Sequence, residues 1–310
     1  MRYHRLGHTD LIVSELAFGA APLGSMFGVF AEQDGVDAVR TALDVGVNLF
    51  DVAPYYGATT AETALGDALR GVDRGTYLLA TKVGRYGLAD FDFSAQRVRR
   101  SVTESLRRLG TDHLDLIQCH DIEFGSPAQI VGETVPALRA LQTEGLVGHV
   151  GITGYPLPTL AHVAARAHVD TVLSYCQYTL QDRRLAAWEE YFTACGAGVV
   201  NAAPLAMGAL TRQGAPDWHP GSFALHARCA EAADLCEALG GDLAKLALQF
   251  SVTATPAATT VVGTSSPDEV RRNVAWLAEP IDQELLRAVE TCLEPVRDRG
   301  WNSGRGVGPC

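Results

Sequence analysis

The sequence is short of positive charge, and this excludes several kinds of partner. Its 310 residues carry 25 Lys and Arg against 36 Asp and Glu, which gives a formal net charge of −11. A chain with this balance and no basic run is a poor ligand for nucleic acid or for an anionic membrane surface. A phosphate-bearing ligand would therefore have to be held by local backbone donors, such as those of a helix N-terminus.

Long hydrophobic stretches are also missing. The longest apolar runs, such as 259–262, are far shorter than the roughly 20 residues that a membrane-spanning helix needs. The first twenty residues lack the pattern of a secretory signal. The seven cysteines include no C-x-x-C pair, which favours reduced thiols. We therefore expect a cytoplasmic protein, monomeric or a small homo-oligomer, with a small-molecule partner and no nucleic acid or membrane.

Eight short apolar runs alternate with longer segments of helical periodicity. The runs lie at 16–19, 47–51, 77–82, 114–120, 148–153, 171–177, 198–204 and 259–263. Each run is continuously apolar, which is typical of strands buried on both faces of a parallel sheet. Eight such units without a linker predict a closed (β/α)8 TIM barrel, with residues 1–310 as one domain and a core of about 16–277.

The helical segments support the same fold. They are predicted at about 32–45, 61–70, 94–109, 127–143, 157–167, 184–195, 223–254 in two pieces, and 267–277. An open doubly wound sheet is the alternative, but no G-x-G-x-x-G follows the first strand, where a dinucleotide-binding fold would carry it. We expect the chain before residue 16 to cap the bottom of the barrel and the chain after about 280 to cover its mouth.

Polar side chains stand at the ends of three consecutive predicted strands, where barrels of this kind carry their chemistry. These residues are Asp51, Lys82 and His120, and Tyr56 follows Asp51 by five positions. A buried Lys82 ammonium needs a counter-ion, which Asp51 on the adjacent strand can supply. A cation beside a phenol favours the phenolate, so we expect Tyr56 to have a lowered pKa and to exchange a proton with a carbonyl oxygen. His120 would hydrogen-bond the same oxygen.

In this order, Asp51, Tyr56, Lys82 and His120 resemble the catalytic tetrad of the aldo-keto reductases. The resemblance runs from about residue 6 to residue 277 and includes FDVAPYYG, QCHD and VVGTSSPDEVRRN. It implies an NAD(P)-dependent oxidoreductase on a (β/α)8 barrel, with these four residues catalytic.

Three stretches, 120–138, 204–220 and 246–251, resemble a subgroup of that family that oxidises free sugars. The resemblance implies oxidation of the anomeric C1 of an aldose to a lactone, with L-galactose as the expected substrate. Tyr56 would then take the C1 hydroxyl proton while hydride leaves for the nicotinamide. L-Fucose, another aldose, a pyridoxal-type substrate or a general aldehyde remain alternatives.

The resemblance also implies where the cofactor binds. Relatives that prefer NADPH tend to carry basic residues where this chain has Gly263 and Glu269, so NAD is expected in preference to NADP. The capping-box spacing from Ser266 to Glu269 offers a purely structural explanation of that carboxylate. The expected cofactor-binding residues are Thr153, Gln177, Pro204, Leu205, Gly208, Gly263, Thr264, Ser265, Glu269, Arg272 and Asn273.

Two positions depart from the family pattern. Thr153-Gly154 stands where relatives commonly have Ser-Asn, and Ala202-Ala203 stands where many relatives stack an aromatic ring on the nicotinamide. Loop residues on the same face are expected to contact the substrate: Phe27, Tyr86, Asp121, Glu123, Trp218 and Trp301.

Two other functions compete with this assignment. A metal-dependent barrel hydrolase could use His113, Asp115, His120 and Asp121, although the first strand offers no H-x-H and the chain has no H-E-x-x-H or G-x-S-x-G. A non-catalytic, cofactor-sensing subunit on the same fold is the second.

Overall fold

A computed structural model describes residues 1–26, 28, 31–255 and 257–304. Its strands are β1 (Tyr3–Arg5), β2 (Ile12–Ser14), β3 (Leu16–Gly19), β4 (Leu49–Asp51), β5 (Leu78–Val83), β6 (Leu114–Cys119), β7 (Val147–Gly154), β8 (Thr171–Tyr175), β9 (Gly198–Ala202) and β10 (Thr259–Gly263). Strands β3 to β10 follow one another around a closed parallel barrel, in which β10 pairs with both β9 and β3. The predicted (β/α)8 barrel is therefore confirmed.

The helices form the outer layer. They are α1 (Glu32–Asp44), α2 (Thr60–Leu69), α3 (Ala95–Leu109), α4 (Pro127–Gln129), α5 (Val135–Thr143), α6 (Leu157–Ala167), α7 (Glu189–Ala194), α8 (Phe223–Ala238), α9 (Leu243–Thr253), α10 (Pro267–Ala278) and α11 (Gln283–Leu293). A π-helical turn, Ile130–Thr134, joins α4 to α5. Among the residues described, no helix has the length and apolar character to cross a membrane.

Strand side chains alternate between the barrel interior and the helix layer. On β5, Ala80 and Lys82 face the interior, whereas Leu79 and Val83 pack against the helices. The apolar part of the interior extends from the end where the strands begin up to the floor of a cavity at the other end, and it is made by Leu6, Leu11, Val13, Ala17, Leu49, Ala80, Leu116, Leu173, Val200, Ala202 and Val261. Each fully buried leucine or valine of this kind stabilises the fold by about 1.5–3 kcal/mol. The polar side chains lie at the opposite end.

The β1–β2 hairpin closes the apolar end of the barrel. At Gly7 the φ angle is +58°, and a Cβ there would lie 2.5 Å from the Gly198 Cα on β9. The hairpin therefore packs backbone against backbone, which only glycine permits. This hairpin is the bottom cap expected from the sequence.

The chain after α11 returns to the other end of the barrel. The Gln181 side chain donates hydrogen bonds to the Val296 and Arg299 carbonyl oxygens, at 2.5 and 3.0 Å. The Trp301 ring stacks on Tyr155 with ring centroids 4.5 Å apart. The tail thus reaches the barrel mouth, as the sequence predicts.

Candidate active site

A cavity of about 570 Å³ opens where the barrel strands end. Its walls include the four predicted catalytic side chains, Asp51, Tyr56, Lys82 and His120. They come from β4, the loop that follows it, the end of β5 and the residue after β6. The closed barrel thus brings together residues that are separated by up to 69 positions in the sequence.

Lys82 is the buried centre of this cluster, since only 1% of its surface is exposed. Its Nζ donates to Asp51 Oδ1 and, at 2.9 Å, to the Val52 carbonyl oxygen. Burial alone would lower the pKa of Lys82, but the charges of Asp51 and Tyr56 outweigh it and the pKa is raised. The ammonium is therefore charged at neutral pH, and its Nζ lies 4.9 Å from the centroid of the Tyr56 ring.

Tyr56 differs from the sequence expectation in the sign of its pKa shift. Burial raises the pKa of Tyr56 above its ordinary value, and the neighbouring Lys82 charge only limits that rise. The predicted net lowering is wrong, because desolvation of a phenolate outweighs one adjacent ammonium that Asp51 already neutralises. Tyr56 therefore keeps its proton at neutral pH.

His120 stands edge-on to Tyr56, with ring centroids 5.6 Å apart. Burial, together with the charges of Lys82 and Arg85, holds the pKa of His120 well below its ordinary value. The imidazole is therefore neutral, and its buried Nδ1 has no partner among the described residues. A neutral imidazole beside a phenol can bind a substrate oxygen without competing for its proton.

Arg85 is a cavity residue that sequence analysis missed. It donates to Asp121 Oδ2, and its guanidinium lies 3.7 Å above the centroid of the Tyr55 ring. Arg85, Asp121 and Tyr55 all line the cavity. The predicted neighbour Tyr86 does not, because its hydroxyl accepts from the Gly84 amide at 3.1 Å and its ring lies under the Arg97 guanidinium. Arg85 could have been predicted from its position in the sequence, because it follows the strand-end residue Lys82 by three positions and so lies in the loop at the same end of the barrel.

Glu123 lies behind the cavity wall rather than in it. It is buried, and its Oε1 accepts from the Tyr155 amide at 3.1 Å and from the Ser303 hydroxyl at 2.8 Å. Burial and the nearby Asp121 charge raise the pKa of Glu123 to about 7. A Cβ at Gly154 would lie 2.6 Å from Glu123 Oε2, so the buried carboxylate leaves no room for a larger side chain at this position.

The remaining predicted substrate residues divide into two groups. Trp218 and Trp301 line the cavity, whereas Phe27 lies outside the described residues. Tyr175, also in the wall, is paired in register with Ala202 and brings an aromatic ring next to the position where relatives place one. Sequence analysis missed Tyr175 because it ends an apolar run without a charge to mark it. Phe124, Met207 and residues 302–304 are among the other wall residues that sequence analysis missed.

The predicted cofactor residues lie on the rim of the same barrel end. Thr153 and Gly263 line the cavity, and the Thr153 hydroxyl accepts from the Asp121 amide at 3.1 Å. Gln177 does not line it, and its side-chain oxygen accepts from the Ser174 hydroxyl at 2.8 Å. The others stand outside the cavity wall, in the turn after β9 or in the loop and helix after β10: Pro204, Leu205, Gly208, Thr264, Ser265, Glu269, Arg272 and Asn273.

The Glu269 carboxylate is not the partner in a capping box. Ser266 Oγ accepts from the Glu269 amide, but the Ser266 amide donates to Thr264 Oγ1 instead of to the carboxylate. Thr264 Oγ1 in turn donates to Glu269 Oε2 at 2.6 Å, and an Arg272 nitrogen lies 3.6 Å from Oε1. The carboxylate is thus held against the loop that follows β10.

The geometry separates the residues that a metal-dependent hydrolase would need. His113 precedes β6, and Asp115 near its start pairs with Arg74, whereas His120 and Asp121 follow its last residue. The two pairs therefore lie at opposite ends of the barrel. Within the described ranges, no group of three or more His, Cys, Asp or Glu side chains could hold a metal ion.

Known proteins share this fold and this sequence pattern. A model of the aldo/keto reductase family matches residues 15–294. L-Galactose dehydrogenase of Arabidopsis thaliana is 48% identical over 308 residues, which cover 96% of either chain. D-Arabinose 1-dehydrogenase of Saccharomyces cerevisiae is 34% identical over 275 residues, or 84% of this chain and 81% of the yeast protein. The solved holo form of aldo-keto reductase AKR11C1 from Bacillus halodurans matches with a TM-score of 0.81 and 28% identity, covering 99% of this chain and 100% of that one.

Proposed function

This chain belongs to the aldo/keto reductase family and is an NAD(P)-dependent oxidoreductase, and on that premise we propose that it oxidises the anomeric C1 of an aldose. L-Galactose is the proposed substrate, NAD the proposed cofactor and the aldonolactone the product. The 48% identity to L-galactose dehydrogenase over nearly the whole chain supports the substrate. The observation that carries the activity is the Lys82 ammonium, held between Asp51 and Tyr56 at the mouth of the barrel.

The reaction divides between proton and hydride. A bound nicotinamide would supply the acceptor for the hydride from C1, and the bond between O1 and its hydrogen would break as the carbonyl forms. Tyr56 takes that proton in oxidation and returns it in reduction. Neutral His120 hydrogen-bonds O1 and orients it toward Tyr56. Lys82 stabilises the deprotonated form of Tyr56, since its positive charge lowers the pKa of that phenol and so opposes the effect of burial.

The described residues fit a nicotinamide cofactor. Small residues line the cavity along the ends of β7, β9 and β10, namely Thr153, Ala202 and Gly263, and they leave space for a flat ring. α10 begins at Pro267, four residues after the last residue of β10, so the positive end of its dipole lies at the cofactor rim. Glu269 in its first turn supports NAD over NADP, because a carboxylate repels a 2′-phosphate and can accept from a 2′-hydroxyl.

Initial rates test this function directly. Purified enzyme is assayed with NAD⁺ and with NADP⁺ against L-galactose, L-fucose, D-arabinose and pyridoxine, and NADH or NADPH absorbance is followed. We expect the highest kcat/KM with L-galactose and NAD⁺. A preference for pyridoxine over every sugar would contradict the proposed substrate class, and a preference for NADP⁺ would contradict the proposed cofactor.

The state of the cysteines supports a proposal about the compartment in which the protein works. The six cysteines that the structure describes are all free, and four of them are buried. Burial raises the pKa of Cys119 and of Cys229 to about 12, so these thiols are unreactive packing residues. This supports a reducing compartment, the cytoplasm. The oligomeric state stays a prediction: a monomer or a small homo-oligomer.

A further inference from the structure

We propose that Gln118 is a positioning residue for the proton transfer, because its amide fixes the carboxylate that holds Lys82 beside Tyr56. The proposal rests on the function assigned above to Tyr56. It concerns a residue that touches neither the cavity nor the tyrosine and acts only through Asp51.

Gln118 lies in the barrel interior, directly below the cavity. It is on β6, where its register partner on β5 is Lys82. It shares the inward face of its strand with Leu116, which belongs to the apolar interior, and with His120, which lines the cavity. Only 1% of its surface is exposed. The amide is therefore enclosed at the boundary between the apolar and polar parts of the barrel.

The Gln118 amide and the Lys82 ammonium divide the Asp51 carboxylate between them. Gln118 Nε2 donates to Oδ2 at 2.9 Å, while Lys82 Nζ donates to Oδ1. The contact from Gln118 reaches across β5 to the end of β4. A carboxylate only accepts hydrogen bonds, so the amide nitrogen must face it. Hydrogen bonds to an ionised acceptor are also stronger than neutral ones, so the carboxylate is held firmly.

This division of the two oxygens sets the position of the ammonium. With Oδ2 occupied, Asp51 offers one oxygen to Lys82, and Nζ also donates to the Val52 carbonyl and stays close to the Tyr56 ring. Without the amide, the carboxylate could rotate and hold the ammonium with both oxygens, away from the tyrosine. The Tyr56 pKa would then rise further, because Lys82 is the group that opposes the effect of burial.

A structural role alone does not account for this side chain. Gln118 Oε1 is buried and has no partner within the described part of the chain, and an unsatisfied buried carbonyl oxygen destabilises a fold. An apolar side chain of the same length would avoid that loss. The amide is explained by its contact with Asp51.

The test is the pH profile of kcat for aldose oxidation by full-length Gln118→Met, which keeps the length of the side chain and removes the N–H donor. We expect the part of the profile in which kcat rises with pH (the rising limb) to shift to higher pH by about half to one unit. Because one pKa unit changes the deprotonated fraction of Tyr56 tenfold, kcat at pH 7 should fall about three- to tenfold. KM for NAD⁺ should stay at the wild-type value. Gln118→Asn, whose amide is too short to reach Asp51, should shift the limb in the same direction.

Thr171→Val is the matched control. Thr171 is another buried polar residue of the barrel wall, on β8, and its hydroxyl has no partner among the residues described. This variant should keep the wild-type pH profile. Below the Tyr56 pKa a shifted limb lowers the oxidation kcat by the same factor at every pH, so kcat for carbonyl reduction is measured as well and should stay near the wild-type value, because the protonated tyrosine already dominates. An unshifted limb in both Gln118 variants, or an equal fall in kcat for oxidation and for carbonyl reduction, would overturn the positioning role. Either result would leave the proposed function standing, whereas a wild-type enzyme without aldose oxidation would remove the proposed function itself.

Discussion

Tyr56 is a weaker acid in this protein than in water, although an ammonium lies against its ring. Burial raises the pKa of the phenol, and Lys82 moderates the rise. The hydroxyl is therefore protonated in the resting enzyme near pH 7. It is ready to donate a proton to a carbonyl, and it must first lose its proton before it can accept one from a sugar hydroxyl.

The two directions of the reaction should therefore respond differently to pH. Below the raised Tyr56 pKa, the deprotonated fraction grows about tenfold per pH unit. We expect kcat for aldose oxidation to rise with pH across the neutral and mildly alkaline range. The kcat for carbonyl reduction should stay nearly constant there, because the protonated form already dominates. Steady-state pH profiles in both directions measure this, and an oxidation rate that is flat from pH 6 to 9 would contradict the role of Tyr56 as base.

The identities of the four central residues follow from the sequence, but the net effect on Tyr56 does not. Lys82 is one of only two lysines in the chain, and a lysine that ends an apolar strand demands a counter-ion. The sign of the pKa shift depends on how completely distant segments bury the phenol, which no local pattern reveals. Arg85 was missed for a similar reason, since the direction of a loop side chain depends on contacts with residues far away in the sequence.

Among the elements, the barrel strands and their helices are recoverable from the sequence, whereas the terminal additions are not. Apolar runs and Pro or Ser at helix starts mark βα units, as Ser266 before α10 does by accepting from the Glu269 amide. β1 is exposed at all three residues and carries no apolar run, so only its pairing with β2 makes it a strand. The sequence predicts only a tail after about residue 280, where the structure has α11. This helix packs against α8, and a contact between segments so far apart in the chain leaves no local pattern in the sequence.

The first turn of α10 should govern the choice of cofactor. Replacing Glu269 by alanine removes the carboxylate that Thr264 holds against the loop after β10. Two like unit charges about 4 Å apart in water repel each other by on the order of 1 kcal/mol. We expect the ratio of kcat/KM with NADP⁺ to that with NAD⁺ to rise about five- to tenfold in Glu269→Ala.

Asp268→Ala gives the comparison for this change. Asp268 is an exposed carboxylate one position earlier in the same turn, paired with Arg271. Its removal changes the net charge equally and should leave the cofactor ratio unchanged. Equal ratios in both variants would show that overall charge, and not the Glu269 carboxylate, decides between the cofactors.

For the whole molecule, Glu123 joins three separate parts of the chain at the mouth of the barrel. The loop after β6 supplies the carboxylate, the Tyr155 amide after β7 donates to it, and Ser303 of the tail donates from the other side. Gly304 packs so closely that a Cβ there would lie 2.7 Å from the Glu123 Cβ. The tail therefore closes over a buried acid.

Closing the tail over this acid should make the stability of the protein depend on pH. The pKa of Glu123 is about 7 in the folded chain, against an ordinary value of 4.5. Between these values the folded state holds a proton that the unfolded state has lost, so the free energy of unfolding falls as pH rises from about 4.5 to 7. The loss amounts to at most about 3.5 kcal/mol, since one pKa unit is worth about 1.4 kcal/mol.

Glu123→Gln should remove that component of the pH dependence. The amide oxygen can still accept from Tyr155 and Ser303, while the side chain no longer ionises. Denaturant unfolding at pH 5 and at pH 8 should show a smaller loss of stability in the variant than in the wild type. An identical loss in both proteins would place the pH dependence elsewhere.

The central claim is that Tyr56 moves the proton while a nicotinamide takes the hydride, and one substitution tests it most directly. NADH formation from L-galactose is compared for wild type, Tyr56→Phe and the control Tyr3→Phe, whose hydroxyl donates to the Gly46 carbonyl at the far end of the barrel. NAD⁺ binding is measured in parallel by tryptophan fluorescence. We expect Tyr56→Phe to lose at least about a hundredfold in kcat with NAD⁺ affinity unchanged, and Tyr3→Phe to match the wild type. A Tyr56→Phe enzyme with wild-type kcat would contradict the account.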